Sequence, residues 1–136
     1  MNKWLIDTNV FVYDLDAGSV FHKEAHRILT SENILFTTHK NITELFAVLS
    51  KFQVSYDIIL SYYHDIRKNV QILYPDEDTL LKFESLANKY SVKGNRIYDM
   101  EIIAIMLTHQ ITTVATFNIK DFEGIEGLKV VSSVHQ

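Results

Sequence analysis

Apolar residues along the chain fall into two kinds of run. Short, mostly apolar blocks occur at Lys3–Ile6, Ile34–Thr38, Val70–Tyr74, Thr112–Thr116 and Leu128–Val131. Each is the length of a strand, rich in β-branched residues, and bounded by polar or turn residues; Pro75 stops the third. Between them the apolar positions recur every three to four residues, as a helix with one buried stripe requires. This spacing predicts helices over Val20–Thr30 on Phe21, Ala25, Ile28 and Leu29, and over Asn41–Phe52 on Ile42, Leu45, Phe46, Leu49 and Phe52. It predicts others over Tyr56–Lys68, Asp78–Tyr90 and Tyr98–His109. Strands alternating with helices predict an α/β domain, a mainly parallel central sheet with helices on both faces. In such sheets ligands bind beyond the carboxyl ends of the strands.

That rule gives four acidic residues a common address. Asp7 directly follows the first strand, and Asp121 follows the strand that ends at Thr116. Glu44 lies near the start of the helix after the second strand, and Asp99 at the start of the helix before the fourth. A helix returning to the sheet starts on its carboxyl side, so all four can meet at one rim. Each also has an ordinary explanation. Asp7 with Asn9 can cap the following turn, Asp99 can cap its helix, Glu44 can be a solvated helix residue, and Asp121 a turn aspartate. Their joint placement is what points to a site. Clustered carboxylates repel one another and resist ionising together. A divalent cation relieves this, and an all-oxygen donor set suits Mg²⁺ or Mn²⁺ better than Zn²⁺.

Composition sharpens this picture. The chain of 136 residues has 47% hydrophobic and 22% charged residues, the balance of a folded globular domain, which excludes a disordered or collagen-like chain. One proline and four glycines leave little room for long loops, and no linker or repeat is visible, so residues 1–136 read as one domain. With no cysteine, disulfides, thiolate zinc sites and a cysteine nucleophile are excluded. Aspartates interrupt the apolar start, which makes a poor signal peptide, and the longest apolar run, Ile102–Leu107, is too short to span a bilayer. A soluble, cytoplasmic protein is expected. The net charge of −4 argues against a broad basic surface. Setting the four candidate acids aside leaves 13 acidic against 13 basic residues, so the excess acidity is the size of the site.

Other signals are weaker. His22 and His26 stand one helical turn apart, a zinc-like spacing without a third ligand. Lys40, Lys93, Arg96 and Lys120 fall in or near the expected rim loops and could meet phosphates, or be ordinary surface cations. Tyr62 and Tyr63 suit core packing better than a subunit contact.

The sequence resembles the PIN-domain family at the same residues. Leu5-Ile6-Asp7-Thr8-Asn9-Val10 resembles the family's opening strand and turn, and Thr43-Glu44-Leu45 its helix glutamate. Tyr98-Asp99 with Ile103-Ala104 resembles its central aspartate helix. Thr116-Phe117-Asn118-Ile119-Lys120-Asp121-Phe122 resembles its closing turn, and Gly124-Ile125-Glu126-Gly127-Leu128 its tail. The length and closing turn are especially similar to the toxin ribonucleases of bacterial toxin–antitoxin pairs, the VapC type. The resemblance implies a PIN-like three-layer sandwich and a Mg²⁺- or Mn²⁺-dependent endoribonuclease whose metal ligands and catalytic residues are Asp7, Glu44, Asp99 and Asp121. It implies a homodimer held inactive by a small antitoxin protein. Asn118 is a departure: many relatives carry aspartate there, so a second metal position is weakened. Two other readings stay open. One is a non-catalytic PIN scaffold that binds RNA or protein. The other is a phosphatase with Asp7 as nucleophile, although haloacid dehalogenase-like enzymes want a second aspartate where this chain has Asn9.

Overall fold

Lys3–Ile6 (β1) alternates its side chains between two cores: Trp4 and Ile6 pack into one and Leu5 into the other. A strand buried on both faces is the mark of a parallel sheet covered by helices on both sides. The computed structural model, which describes residues 2–135, has that arrangement. The remaining strands are Ile34–Thr38 (β2), Val70–Leu73 (β3), Thr113–Ala115 (β4) and Lys129–Val131 (β5), and the sheet order is β3-β2-β1-β4-β5. All four pairings are parallel, with Leu5 opposite Phe36 on one side and Val114 on the other.

One face is covered by Thr8–Leu15 (α1), His22–Leu29 (α2), His39–Lys51 (α3) and Tyr56–Asn69 (α4). They contribute Val10, Phe11, Ala25, Ile28, Leu45, Leu49, Ile59 and Ile66 to the first core. Glu77–Tyr90 (α5) and Arg96–Thr108 (α6) cover the other face. Helix α6 is buried nearly all round: Met100 and the run Ile102 to Met106 are each at most 2% exposed. These layers confirm the expected α/β sandwich.

Strand and helix boundaries agree with the pattern to within about two residues, except in the first third of the chain. Helix α1 is absent from the periodicity reading. Its sequence, TNVFVYDL, has no clean polar stripe and carries two valines. Asp7 starts it by accepting the Thr8 N–H, and packing of Val10 and Phe11 stabilises it. Helix α3 starts earlier than Asn41, because Thr38 and Asn41 form a reciprocal capping box. Glu44 therefore sits in the second turn. Helix α6 starts at Arg96 rather than Tyr98, which places Asp99 inside the first turn. Among the described residues, no helix is long and apolar enough to cross a membrane.

Candidate active site

The carboxyl ends of β1, β2 and β4 carry a polar layer that is almost wholly buried: Asp7, Thr8, Thr37, Thr38, Asn41 and Thr116. Asp7 is its centre. One carboxylate oxygen accepts the Thr8 N–H at 2.8 Å and the Asn41 amide at 3.3 Å. The other accepts the Thr116 hydroxyl at 2.7 Å and the Asn9 amide at 3.2 Å. Asp7 is thus both a helix cap and the acid that the sequence placed at the rim. Four donors fix its position, yet burial outweighs them and pushes its pKa up to about 6, with a smaller push from Glu44 and Asp121.

The other three acids line one open cleft of about 640 Å³ in front of Asp7, together with Lys40, Arg96 and Tyr98. Glu44 is exposed as a residue, but its carboxyl group is partly desolvated in the cleft. That desolvation raises its pKa; hydrogen bonding with Thr8 and the Lys40 charge oppose the rise, and Asp121 adds to it. Asp99 is pushed up to about 7, first by desolvation and then by Asp121, Asp7 and Glu44, with Arg96 opposing. Asp121 ends the short 3-10 turn Ile119–Asp121 after β4. The four residues therefore feel one another's charge, which is the electrostatic signature of a shared site.

Among the described residues, no group of three or more His, Asp or Glu side chains is placed closely enough to hold a metal ion. The acids are carried by four different elements, the caps or turns of α1, α3, α6 and the 3-10 turn, and Asp7 does not itself line the cleft. Their chemistry nevertheless fits a hard divalent cation: the donors are all oxygen, and their mutual repulsion is what a cation would remove.

Asn95, the residue before α6, makes no side-chain cap, and Asp99 lies beyond the capping position, so capping does not account for Asp99. Lys40 and Arg96 line the cleft, whereas Lys93 does not, and Lys120 lines a neighbouring depression that also holds Asn118 and Asp121. His22 and His26 are engaged elsewhere, with the Tyr13 carbonyl and with Asp14. Tyr62 serves packing: its hydroxyl sits 2.9 Å from the Phe11 carbonyl and 2.8 Å from Asp14, joining α4 to α1.

Pattern reasoning did not assign functional roles to the residues that hold Asp7. Asn9 donates to Asp7 and to the Thr116 hydroxyl at 3.1 Å, and its carbonyl oxygen accepts the Phe117 N–H at 3.1 Å. Asn41 donates to the Thr8 hydroxyl at 3.0 Å as well as to Asp7. Thr116 accepts the Asn118 N–H at 3.0 Å. The available signal was polar residues clustered directly after three apolar strands, an unusual place for so many buried hydroxyls and amides.

Comparison with known proteins places this architecture. A family model described as "PIN domain" matches residues 4–128. A toxin–antitoxin complex from Klebsiella pneumoniae includes a chain with a TM-score of 0.68 and 24% identity, over 94% of this chain and 95% of that one. VapBC2 from Rickettsia felis, bound to a promoter DNA fragment, gives a TM-score of 0.72 and 19% identity over 95% and 97%. Mycobacterium tuberculosis VapC20, a toxin that cleaves the sarcin–ricin loop, gives 0.73 and 15% over 93% and 98%. At these identities the similarity establishes the fold. No curated protein sequence matches the chain.

Proposed function

The chain belongs to the PIN-domain family, and we propose that it is a metal-dependent endoribonuclease, the toxin member of a toxin–antitoxin pair. The observation that carries this reading is the cleft at the carboxyl edge of the sheet, where Glu44, Asp99 and Asp121 face solvent in front of a buried Asp7 and the four carboxylates are electrostatically coupled. Asp7, Glu44, Asp99 and Asp121 would hold Mg²⁺ or Mn²⁺. Bound there, the cation would polarise a phosphodiester, activate water and steady the leaving oxygen.

The chain's own groups supply the remaining requirements. Lys40 and Arg96 bring positive charge to the walls of an otherwise acidic cleft, where a phosphate backbone must approach. The Asn9, Asn41 and Thr116 donors keep Asp7 in one orientation, which a metal ligand needs. Asn118 is exposed and does not line the main cleft, and its neutral amide adds no charge to the ligand set. Residues 1–136 are taken as one nuclease domain acting in the cytoplasm. A small antitoxin partner and a homodimer belong to the same proposal; the antitoxin is supported by similarity in fold to chains found in VapBC and other toxin–antitoxin complexes.

The absence, among the described residues, of a side-chain group placed to hold an ion favours a second reading, a non-catalytic PIN scaffold. The aspartyl-phosphatase reading loses ground, because Asn9 is committed to holding the rim together. One experiment separates these readings. Purified protein is incubated with total RNA and Mn²⁺, with and without chelator, beside Asp7→Asn. Cleavage that requires both the metal and Asp7 supports the nuclease. Intact RNA, with no heat of Mn²⁺ binding by calorimetry, supports the scaffold.

A further inference from the structure

Tyr98 is an aromatic residue at the cleft, next in sequence to Asp99, and it is 55% exposed. Exposure alone is ordinary for a surface ring, and Phe52, Tyr56 and Tyr74 are as exposed; Tyr98 differs in lining the acidic cleft. This one is also held in place. The Lys40 ammonium lies 4.3 Å from the centre of its ring and is itself fixed by Glu101 at 2.9 Å. Lys40 also acts on Glu44, whose carboxylate its charge favours. The ring is thus anchored on one face by a cation that is tied to the acidic site, while more than half of the residue stays open to the cleft.

An exposed, pre-oriented ring beside a phosphate-processing site matches one ligand chemistry. Unpaired nucleobases stack on aromatic side chains, whereas a base inside a duplex has no free face to offer. We propose that Tyr98 is a stacking platform for an unpaired nucleobase next to the scissile phosphate of single-stranded RNA, with Lys40 as the positioning residue that fixes the ring. This rests on the ribonuclease reading of the cleft and adds to it a residue that holds the base beside the cut, Tyr98, positioned by Lys40. A cation under the ring also leaves the stacked nucleotide's phosphate near positive charge, with Arg96 on the same cleft.

The test uses a short single-stranded RNA that the wild-type protein cleaves, a version with an abasic site beside the cut, and the same sequence in a duplex. Tyr98→Ala should raise KM for the intact strand about tenfold or more with kcat changed less than about twofold, as loss of one stacked base predicts. Tyr98→Phe should behave as wild type. The abasic strand should be as poor for wild type as the intact strand is for Tyr98→Ala, and combining the two should cost little more. Binding is read separately, with 2-aminopurine beside the cut, Mg²⁺ present and Asp7→Asn to stop cleavage. Fluorescence should be quenched on binding, and Tyr98→Ala should abolish the quenching. Equal KM and equal quenching with and without Tyr98 would overturn the proposal, as would a change in sedimentation of Tyr98→Ala with quenching intact, which would make the ring a subunit contact. If wild type cleaves no RNA at all, the ribonuclease reading fails first and this inference falls with it.

Discussion

Thr116 donates its hydroxyl to the Asp7 carboxylate at 2.7 Å, joining the end of β4 to the end of β1 across 109 positions of sequence. It is the shortest of the four hydrogen bonds that Asp7 accepts. Thr116→Val keeps the shape and removes the donor. Asp7 should then protonate at higher pH still, moving the acid limb of the activity profile upward. Stability at neutral pH should fall by about 1.5–3 kcal/mol, the usual cost of losing a hydrogen bond to a charged group. Chemical denaturation and a pH–rate profile check both. An unchanged profile would separate Thr116 from the working state of Asp7.

Asp7→Asn and Asp99→Asn should each abolish most cleavage, Glu44→Gln should impair it, and Asp121→Asn should cost least. The stability of Asp99→Asn should move the other way. The pKa values of Asp7 and Asp99 in the folded chain lie near 6 and 7, above the ordinary aspartate value of 3.8. The folded chain therefore holds more protons than the unfolded one between about pH 4 and 7, and metal-free stability falls as pH rises through that window. Asp99→Asn removes its share of the penalty. Without metal at pH 7.5, its melting temperature should exceed that of wild type by roughly 3 °C. A lower melting temperature in chelator would show that Asp99 is held by compensating contacts instead.

Divalent metal should reverse the same pH dependence. A cation that binds only the folded site at a hundredfold excess over its dissociation constant adds about 2.7 kcal/mol. The gain should be largest above pH 7, where Asp7 and Asp99 are ionised, and should fade below about pH 5, where protons compete for the same oxygens. Thermal melts across a Mn²⁺ series at three pH values measure it. A flat response at every pH would argue for the scaffold reading.

Product ends report the chemistry. Metal-assisted attack by water leaves a 5′-phosphate and a 3′-hydroxyl. Attack by the RNA's own 2′-hydroxyl leaves a 2′,3′-cyclic phosphate and calls for histidine-type acid–base groups. His39, the histidine nearest the rim in sequence, packs against Tyr74 at 5.9 Å between ring centres, and no histidine lines the main cleft. A substrate with one 2′-deoxy sugar at the cut should still be cleaved. Cyclic phosphate ends, detected by mass spectrometry, would refute this mechanism whatever the fate of the metal.

Much of this protein is written locally in its sequence. The five strands are legible because short, mostly apolar runs bounded by polar or turn residues have few alternatives in a chain with a single proline and four glycines. Five of the six helices that pack on them are legible from periodic apolar spacing. That Asp7, Asp99 and Asp121 reach one edge was legible because each sits at an element end that topology sends there, with Glu44 one turn into α3. Helix α1 was not, since its residues lack the periodic contrast on which such readings depend and its stability comes from Val10 and Phe11 in the first core. Nor could the pattern show that Asp7 is buried behind the cleft rather than lining it, that Asn41 reaches it from α3, or that Lys40 joins Glu101 to the ring of Tyr98. Periodicity records only which way a residue faces relative to its near neighbours. The partners of Asp7 follow from the strand order β3-β2-β1-β4-β5, which sets β1 between the ends of β2 and β4, and that order is decided by packing both faces of the sheet at once.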